Sequence, residues 1–362
     1  MDALQAACIQ CRDIAGSCRY DSQAASSTRG QIMPRDHEKM PAFPAEKDLT
    51  IGFVHAAYQL QAEFETRGFN TNNVTVRSLE ELKARASEFD VIVVSMMWRN
   101  EVIPLAPRLR FIQSVSAGTD QFDKAALAAA NVRLASAQGG NERAVSEHAM
   151  ALLLSLTRQL HLGRDAQTAR HWRPMIADRT TREDELGGKT LVIVGLGRIG
   201  LRLAALASAF GMRVIGVRRN TQPQPNVEAV LPPDRLLEAM AQADVVALTC
   251  PLTPQTEGLI SAQALAAMKP SALLINVARG KVVDEDALIT CLQEGRIAGA
   301  GLDCFHEEPL PPTSPLWDIK RAIITPHSAG ETRLYEKNIC DILEDNLRRL
   351  FSGQTELRNQ IV

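Results

Sequence analysis

The feature that most restricts this chain is a set of three glycines, Gly195, Gly197 and Gly200, lying between the apolar run TLVIV and a Leu/Ala-rich segment with helical character. A G-x-G-x-x-G by itself is weak, because glycines gather in many loops; between a strand and a helix it acquires a mechanism. Gly195 permits the tight turn, Gly197 lets the backbone approach a pyrophosphate, and Gly200 lets helix and strand pack closely. The start of the helix at Arg198 and Ile199 offers unpaired N–H groups to phosphates. The segment beginning at Thr190 therefore predicts a dinucleotide-binding unit. The apolar runs RVIGV, DVVALTC, ALLINVA, AGLDCF and AIITPH continue the alternation of a doubly wound parallel sheet.

A second such unit lies upstream. At 362 residues the chain exceeds one ordinary core, since about 150 residues per domain is the usual expectation. From Leu49 the strand-like runs LTIGFV, VTVR, FDVIVVSMM and LRFIQSVS alternate with helical stretches such as SLEELKARASEF, where Leu79, Leu82 and Phe89 recur at helical spacing. Residues 141–172 read as one long helical stretch, without Gly or Pro until Gly163, crossing from the first unit to the second. Near the end, Leu334, Ile339, Ile342, Leu343, Leu347 and Leu350 share roughly one helical face, predicting a final helix that crosses back.

The predicted class is α/β with two doubly wound parallel-sheet domains. A Rossmann cofactor domain, residues 147–329, is inserted in a flavodoxin-like substrate domain made of residues 48–146 and 330–362. Residues 1–47 lack hydrophobic periodicity and are rich in Ala, Ser, Gln, Arg and Asp, so they predict a disordered extension.

Composition removes several function classes. A formal net charge of −2 provides no global positive field for nucleic acid or an acidic membrane surface. No apolar run reaches the roughly 18 to 20 residues of a bilayer-spanning helix. Seven cysteines, an odd number without repeated spacing, read as reduced thiols of a cytoplasmic protein. Cys8 and Cys11 form a C-x-x-C, but no second pair follows, and no metal site is expected. A secretory signal lacks its apolar core, and Asp2, Asp13, Asp21 and Asp36 argue against a transit peptide. The expected partner is a small molecule.

An NAD enzyme of this kind usually carries an acidic residue about 20 positions past the glycines, bound to the ribose 2′-hydroxyl. Here RVIGV runs into Arg218, Arg219 and Asn220. Positive charge stands where a 2′-phosphate would sit, which favours NADP over NAD.

Three polar residues end strands of the second unit: Arg279 after ALLINVA, Glu308 after AGLDCF, and His327 after AIITP. Ligands of open α/β sheets bind beyond the carboxyl ends of strands, so residues distant in sequence converge there. Reducing a 2-oxo acid creates an alkoxide, which requires a proton donor, a group that keeps the donor protonated, and a cation for the substrate's oxygens. His327, Glu308 and Arg279 supply one each. A carboxylate beside an imidazole favours the imidazolium, and the planar guanidinium fork suits a carboxylate better than an ammonium does.

With these motifs the sequence resembles the D-isomer-specific 2-hydroxyacid dehydrogenases, which include glyoxylate/hydroxypyruvate reductases and phosphoglycerate dehydrogenases. The resemblance spans about residues 49–352. It rests on VSAGTD (115–120), GLGRIG (195–200), PLTPQTEGLI (251–260), NVARGKVVDEDAL (276–288), GLDCFHEEPL (301–310) and TPHSAG (325–330). It implies that Arg279, Glu308 and His327 are the catalytic residues, and that backbone N–H groups of Ala117 and Gly118 hold the substrate carboxylate together with Arg279. It further implies that Pro251, Thr256, Val277, Ala278 and Asp303 lie against the cofactor. Two departures stand out: Arg218 where NAD-specific members have Asp, and the long N-terminal segment. The family also implies a homodimer through the helical stretch around residues 145–172.

The remaining residues carry less. Trp98 and Arg99 end a strand of the first unit and are candidates for the substrate pocket. His55, His148, His161, His171 and His306 read as structural or surface groups, and Trp172 and Trp317 as packing or interface anchors. The leading functional expectation is reduction of a glyoxylate- or hydroxypyruvate-like 2-oxo acid. The alternatives are a phosphoglycerate dehydrogenase-like enzyme and a cofactor-sensing, corepressor-like binding protein.

Overall fold

The computed structural model describes residues 43–362. The C-x-x-C at Cys8 and most of the expected extension lie outside the described residues. The extension as expected reached Lys47, but Phe43 already packs edge-on against Phe351, ring centroids 5.7 Å apart, and the Glu46 carboxylate accepts the Asn70 N–H at 2.6 Å. With a short 3-10 turn at Glu46–Asp48, these contacts make residues 43–47 part of the folded body.

The first sheet contains β1 (Thr50–Val54), β2 (Asn72–Val76), β3 (Val91–Val94), β4 (Phe111–Ser114) and β5 (Arg133–Ala135), all parallel, in the order β2-β1-β3-β4-β5. This is the flavodoxin-like order. The second contains β6 (Thr190–Val194), β7 (Arg213–Val217), β8 (Ala229–Leu231), β9 (Val245–Leu248), β10 (Leu273–Asn276), β11 (Gly299–Leu302) and β12 (Ala322–Ile324), in the order β12-β11-β10-β9-β6-β7-β8. That is the dinucleotide-binding order with one further strand. Strands such as VIVV and TLVIV are buried along their whole length because helices cover both sheet faces.

The chain returns to the first sheet through the helix Tyr335–Phe351, whose Ile339, Ile342, Leu343, Leu347 and Leu350 join Phe53, Phe64 and Phe111 in one apolar cluster. Leu334, expected on that face, precedes the helix and is exposed. A buried polar pair sets the register: Asn346 Nδ2 donates to Gln113 Oε1 at 2.9 Å and to the Arg358 carbonyl, while its Oδ1 accepts the Arg358 N–H at 2.7 Å. Residues 359–362 then run antiparallel to β5, with Ser136 N–H donating to the Asn359 carbonyl and Ile361 N–H to the Leu134 carbonyl.

The long helical stretch is two helices, Glu142–Thr157 and Leu160–Thr168. The break comes before Gly163, at Gln159, which takes a left-handed φ of 51° after Arg158 N–H has turned back to the Leu154 carbonyl. The first helix packs on β10, β11 and the helix Arg198–Ala209; the second has no buried residue. Among the described residues, no helix is long and apolar enough to cross a membrane.

Candidate active site

The second sheet reverses its strand order between β6 and β9. A cavity of about 390 Å³ opens there, lined by the loops after β6, β7 and β9. Gly195 has φ +101°, and a Cβ on it would stand 2.6 Å from the Cys250 N; a Cβ on Gly200 would stand 2.2 Å from the Gly195 carbonyl. No side chain caps the first N–H groups of the helix Arg198–Ala209, and space above Gly197 is open. This backbone cradle fits a dinucleotide's pyrophosphate.

Pro251, Thr256, Arg218, Arg219 and Asn220 also line the cavity, and no lining residue is acidic. Thr256 Oγ1 donates to the Pro251 carbonyl at 2.7 Å and accepts the Thr253 N–H at 2.8 Å, which fixes one wall. The Arg218 fork is anchored across the rim, Nη1 on the Leu196 carbonyl at 3.1 Å and Nε on the Asn220 carbonyl. Four other expected cofactor residues do not line this cavity. Ile199 is half-buried in the first helical turn, and the Arg198 guanidinium packs on the Gly139 turn. Val277 and Ala278 lie outside the lining; Ala278 N–H is bonded to Asn276 Oδ1 at 3.0 Å.

Arg279, Glu308 and His327 are brought together. His327 Nδ1 lies 2.8 Å from Glu308 Oε2, and Glu308 Oε1 accepts the Phe305 N–H at 2.9 Å. Arg279 is near enough to influence the titration of both. Its Nη1 donates to the Ala278 carbonyl and its Nη2 reaches Asp120, in the loop after β4, at 3.3 Å. The Arg279 guanidinium end lies where a Cβ on Gly118 would stand, so a side chain there would have to displace it. The N–H groups of Ala117 and Gly118 have no backbone acceptor among the described residues and remain available beside it.

Residues 150–329 match the family described as D-isomer specific 2-hydroxyacid dehydrogenase, NAD binding domain. A glyoxylate reductase of Pyrococcus furiosus is 34% identical over 300 residues, 82% of this chain and 88% of that protein. The chain belongs to the D-isomer-specific 2-hydroxyacid dehydrogenase family. It is an NAD(P)-dependent oxidoreductase built on that family's fold. A D-3-phosphoglycerate dehydrogenase of Mycobacterium leprae is also 34% identical, over 70% of this chain and 47% of its own length. Among solved structures, the NADPH-dependent glyoxylate/hydroxypyruvate reductase of Sinorhizobium meliloti, in complex with NADP and malonate, superimposes with a TM-score of 0.73 at 26% identity. That match covers 87% of this chain and 97% of the other.

In this dehydrogenase, the hydrogen bond His327 donates to Glu308 raises the His327 pKa above that of an ordinary imidazole, against the opposing effect of burial. For Glu308, burial works against the charge, but His327, the Phe305 N–H and Arg279 outweigh it and hold the carboxyl below its usual range. The signs are opposite in their effect on the fold. Stabilisation from the raised imidazole is present below its unfolded pKa and lost as pH rises through the folded one. Stabilisation from the lowered carboxyl is present above its unfolded value and lost as pH falls through its folded one, so the pair contributes most between the two unfolded values.

His327 itself has φ +53°, a sparsely populated conformation for a residue with a side chain. Asp303, expected against the cofactor, is 2% exposed and holds this loop. It accepts from Thr325 Oγ1 at 2.6 Å, Ser328 N–H at 2.9 Å and Ala329 N–H at 3.0 Å. His148, from the helix Glu142–Thr157, adds a 2.9 Å contact to Thr325 Oγ1. Trp98 is also reassigned: it is buried, tilted against Phe122 and bonded through Nε1 to Asn100 Oδ1, and so belongs to the core. Arg99 is exposed and folds back onto the Met96 and Trp98 carbonyls. Asp120 lies within the VSAGTD run, but nothing in the sequence announces its pairing with Arg279, or the contact of His148 with Thr325.

Glu308→Gln should lower the His327 pKa toward the ordinary imidazole value, as followed by NMR titration of the ring protons. An unchanged titration would show that Glu308 is not what charges the imidazole.

Proposed function

We propose that this dehydrogenase reduces a small 2-oxo acid, of the size of glyoxylate or hydroxypyruvate, to the D-2-hydroxy acid with NADPH. The observation that carries the reading is the 2.8 Å His327–Glu308 pair set beside Arg279 and the free N–H groups of Ala117 and Gly118. Residues 48–146 with 330–362 form the substrate-binding unit, and residues 147–329 the cofactor-binding unit.

When bound, the nicotinamide supplies the hydride. The substrate carboxylate is held by Arg279 and by the Ala117 and Gly118 N–H groups, which leaves the carbonyl oxygen toward His327. Glu308 takes the Nδ1 proton of His327 in its hydrogen bond, so Nε2–H is the face turned to substrate. His327 gives that proton to the oxygen as negative charge develops, and Arg279 stabilises the same charge. In the oxidative direction the neutral ring accepts the proton. Purified protein assayed with glyoxylate, hydroxypyruvate, pyruvate and 3-phosphohydroxypyruvate should turn over a small oxo acid by loss of reduced-nicotinamide absorbance. His327→Ala should cost roughly a hundredfold or more in kcat. Preference for the phosphorylated substrate would support a phosphoglycerate dehydrogenase-like enzyme instead, and cofactor binding without turnover a sensor.

The cofactor preference follows from Arg218 and Arg219 lining a cavity rim with no carboxylate to repel a 2′-phosphate. Arg218→Asp should reverse the NADPH-to-NADH ratio of kcat/KM; an unchanged ratio removes the argument.

We infer further that a second copy of the chain covers the segment around Leu160–Thr168 and residues 169–188. Leu160 and Leu162 are 58% and 39% exposed, and Trp172 and Met175 are 96% exposed, which leaves large apolar side chains in water along one segment. Sedimentation should report a dimer that Trp172→Asp with Met175→Asp converts to monomer. A wild-type monomer would defeat the inference.

A further inference from the structure

Two loops must keep a fixed separation for the reaction proposed above: residues 115–118, which offer N–H groups to the substrate, and residues 325–331, which carry His327. The loop after β1 touches the second directly and reaches the first through Tyr335. Tyr58 Oη donates to Glu331 Oε1 at 2.7 Å, four residues beyond His327. The Tyr58 ring packs against Tyr335 at 4.7 Å between centroids, and the buried Tyr335 Oη donates to the Val115 carbonyl at 2.7 Å, where the substrate loop begins.

Tyr58 is itself held. Its ring stacks on His55 at 3.9 Å with 7° between planes, and its N–H donates to His55 Nδ1 at 3.0 Å. Arg77 Nη1 donates to the His55 and Tyr58 carbonyls at 3.0 and 2.9 Å. The next residue, Gln59, gives its N–H to Glu336 Oε1 at 3.3 Å, so the same turn meets the start of the helix Tyr335–Phe351 twice. The sequence alone marks none of this, because Tyr58, Glu331 and Tyr335 meet only when the chain returns to the first sheet.

We propose that Tyr58 and Glu331 form a latch that positions the His327 loop against the substrate-carboxylate loop, with Tyr335 as its pivot. Both are positioning residues; neither touches the reacting atoms. A proton donor displaced by about an ångström loses much of its effect, so a single hydrogen bond at this place is felt in the chemical step. The inference rests on the proposed role of His327.

The test compares Tyr58→Phe, Glu331→Ala and the double variant with wild type, measuring kcat, KM, NADPH affinity, thermal midpoint and the solvent deuterium isotope effect on kcat. Tyr58→Phe keeps the ring stack and Glu331 is on the surface, so both variants should fold. Each should lower kcat about tenfold, the effect of one charge-assisted hydrogen bond. NADPH affinity should be unchanged and the isotope effect should rise, because proton transfer is what has been impaired. The double variant should be no worse than either single one, and Glu331→Gln, which retains an acceptor, should restore most of the rate. A wild-type kcat in both single variants would overturn the latch, as would independent, multiplying losses or an unchanged isotope effect. A fully active His327→Ala would instead overturn the role of His327, which separates the two failures.

Discussion

The carboxylate of Asp303 holds the loop that the rest of the site depends on. It is almost fully buried and receives the Thr325 hydroxyl and the Ser328 and Ala329 N–H groups. A buried charge of this kind is tolerated only when its lone pairs are engaged. Those bonds fix the backbone on both sides of His327 and so offset the cost of its left-handed conformation. From that fixed point the imidazole can meet Glu308, which arrives on a different strand connection, while His148 braces Thr325 from the other side.

Opposite this loop, the site is closed by charge and by the lack of a side chain. Gly118, in the loop after β4, lies against Arg279, and the guanidinium lies where a methyl group would be. Asp120 then partners Arg279 at 3.3 Å, at an exposed position where water and an incoming carboxylate compete for the same donors. The two halves therefore meet through a polar contact, and in the proposed reaction a substrate carboxylate would take the place of Asp120 on the guanidinium.

Much of this could be read from the sequence where the physics is local or periodic. The strand, glycine turn and helix at 190–209 are contiguous, and the runs that became β3, β6, β9 and β10 are continuous because both faces of those strands are buried. Arg279, Glu308 and His327 could be grouped because parallel strands deliver their carboxyl ends to one side. What could not be read was tertiary. β5 and β8 are three-residue strands defined by their neighbours, and the break at Gln159 has no glycine or proline to mark it. Trp98 ends a strand, as a pocket residue would, but the packing of Phe122 turns it inward. Asp303 could be picked out from its motif, but its hydrogen bonds to a loop more than twenty residues later could not.

The last residues described also bear on the order in which the chain can be completed during synthesis. Asn359 donates to the Ser136 carbonyl across 223 positions of sequence, and residues 359–362 cover the open edge of β5. The first sheet is made early, but its edge stays bare while the whole inserted domain is translated. Exposed strand edges are where chains pair with one another. The three-residue length of β5 limits that hazard, since so short an edge offers few groups for another strand to grip.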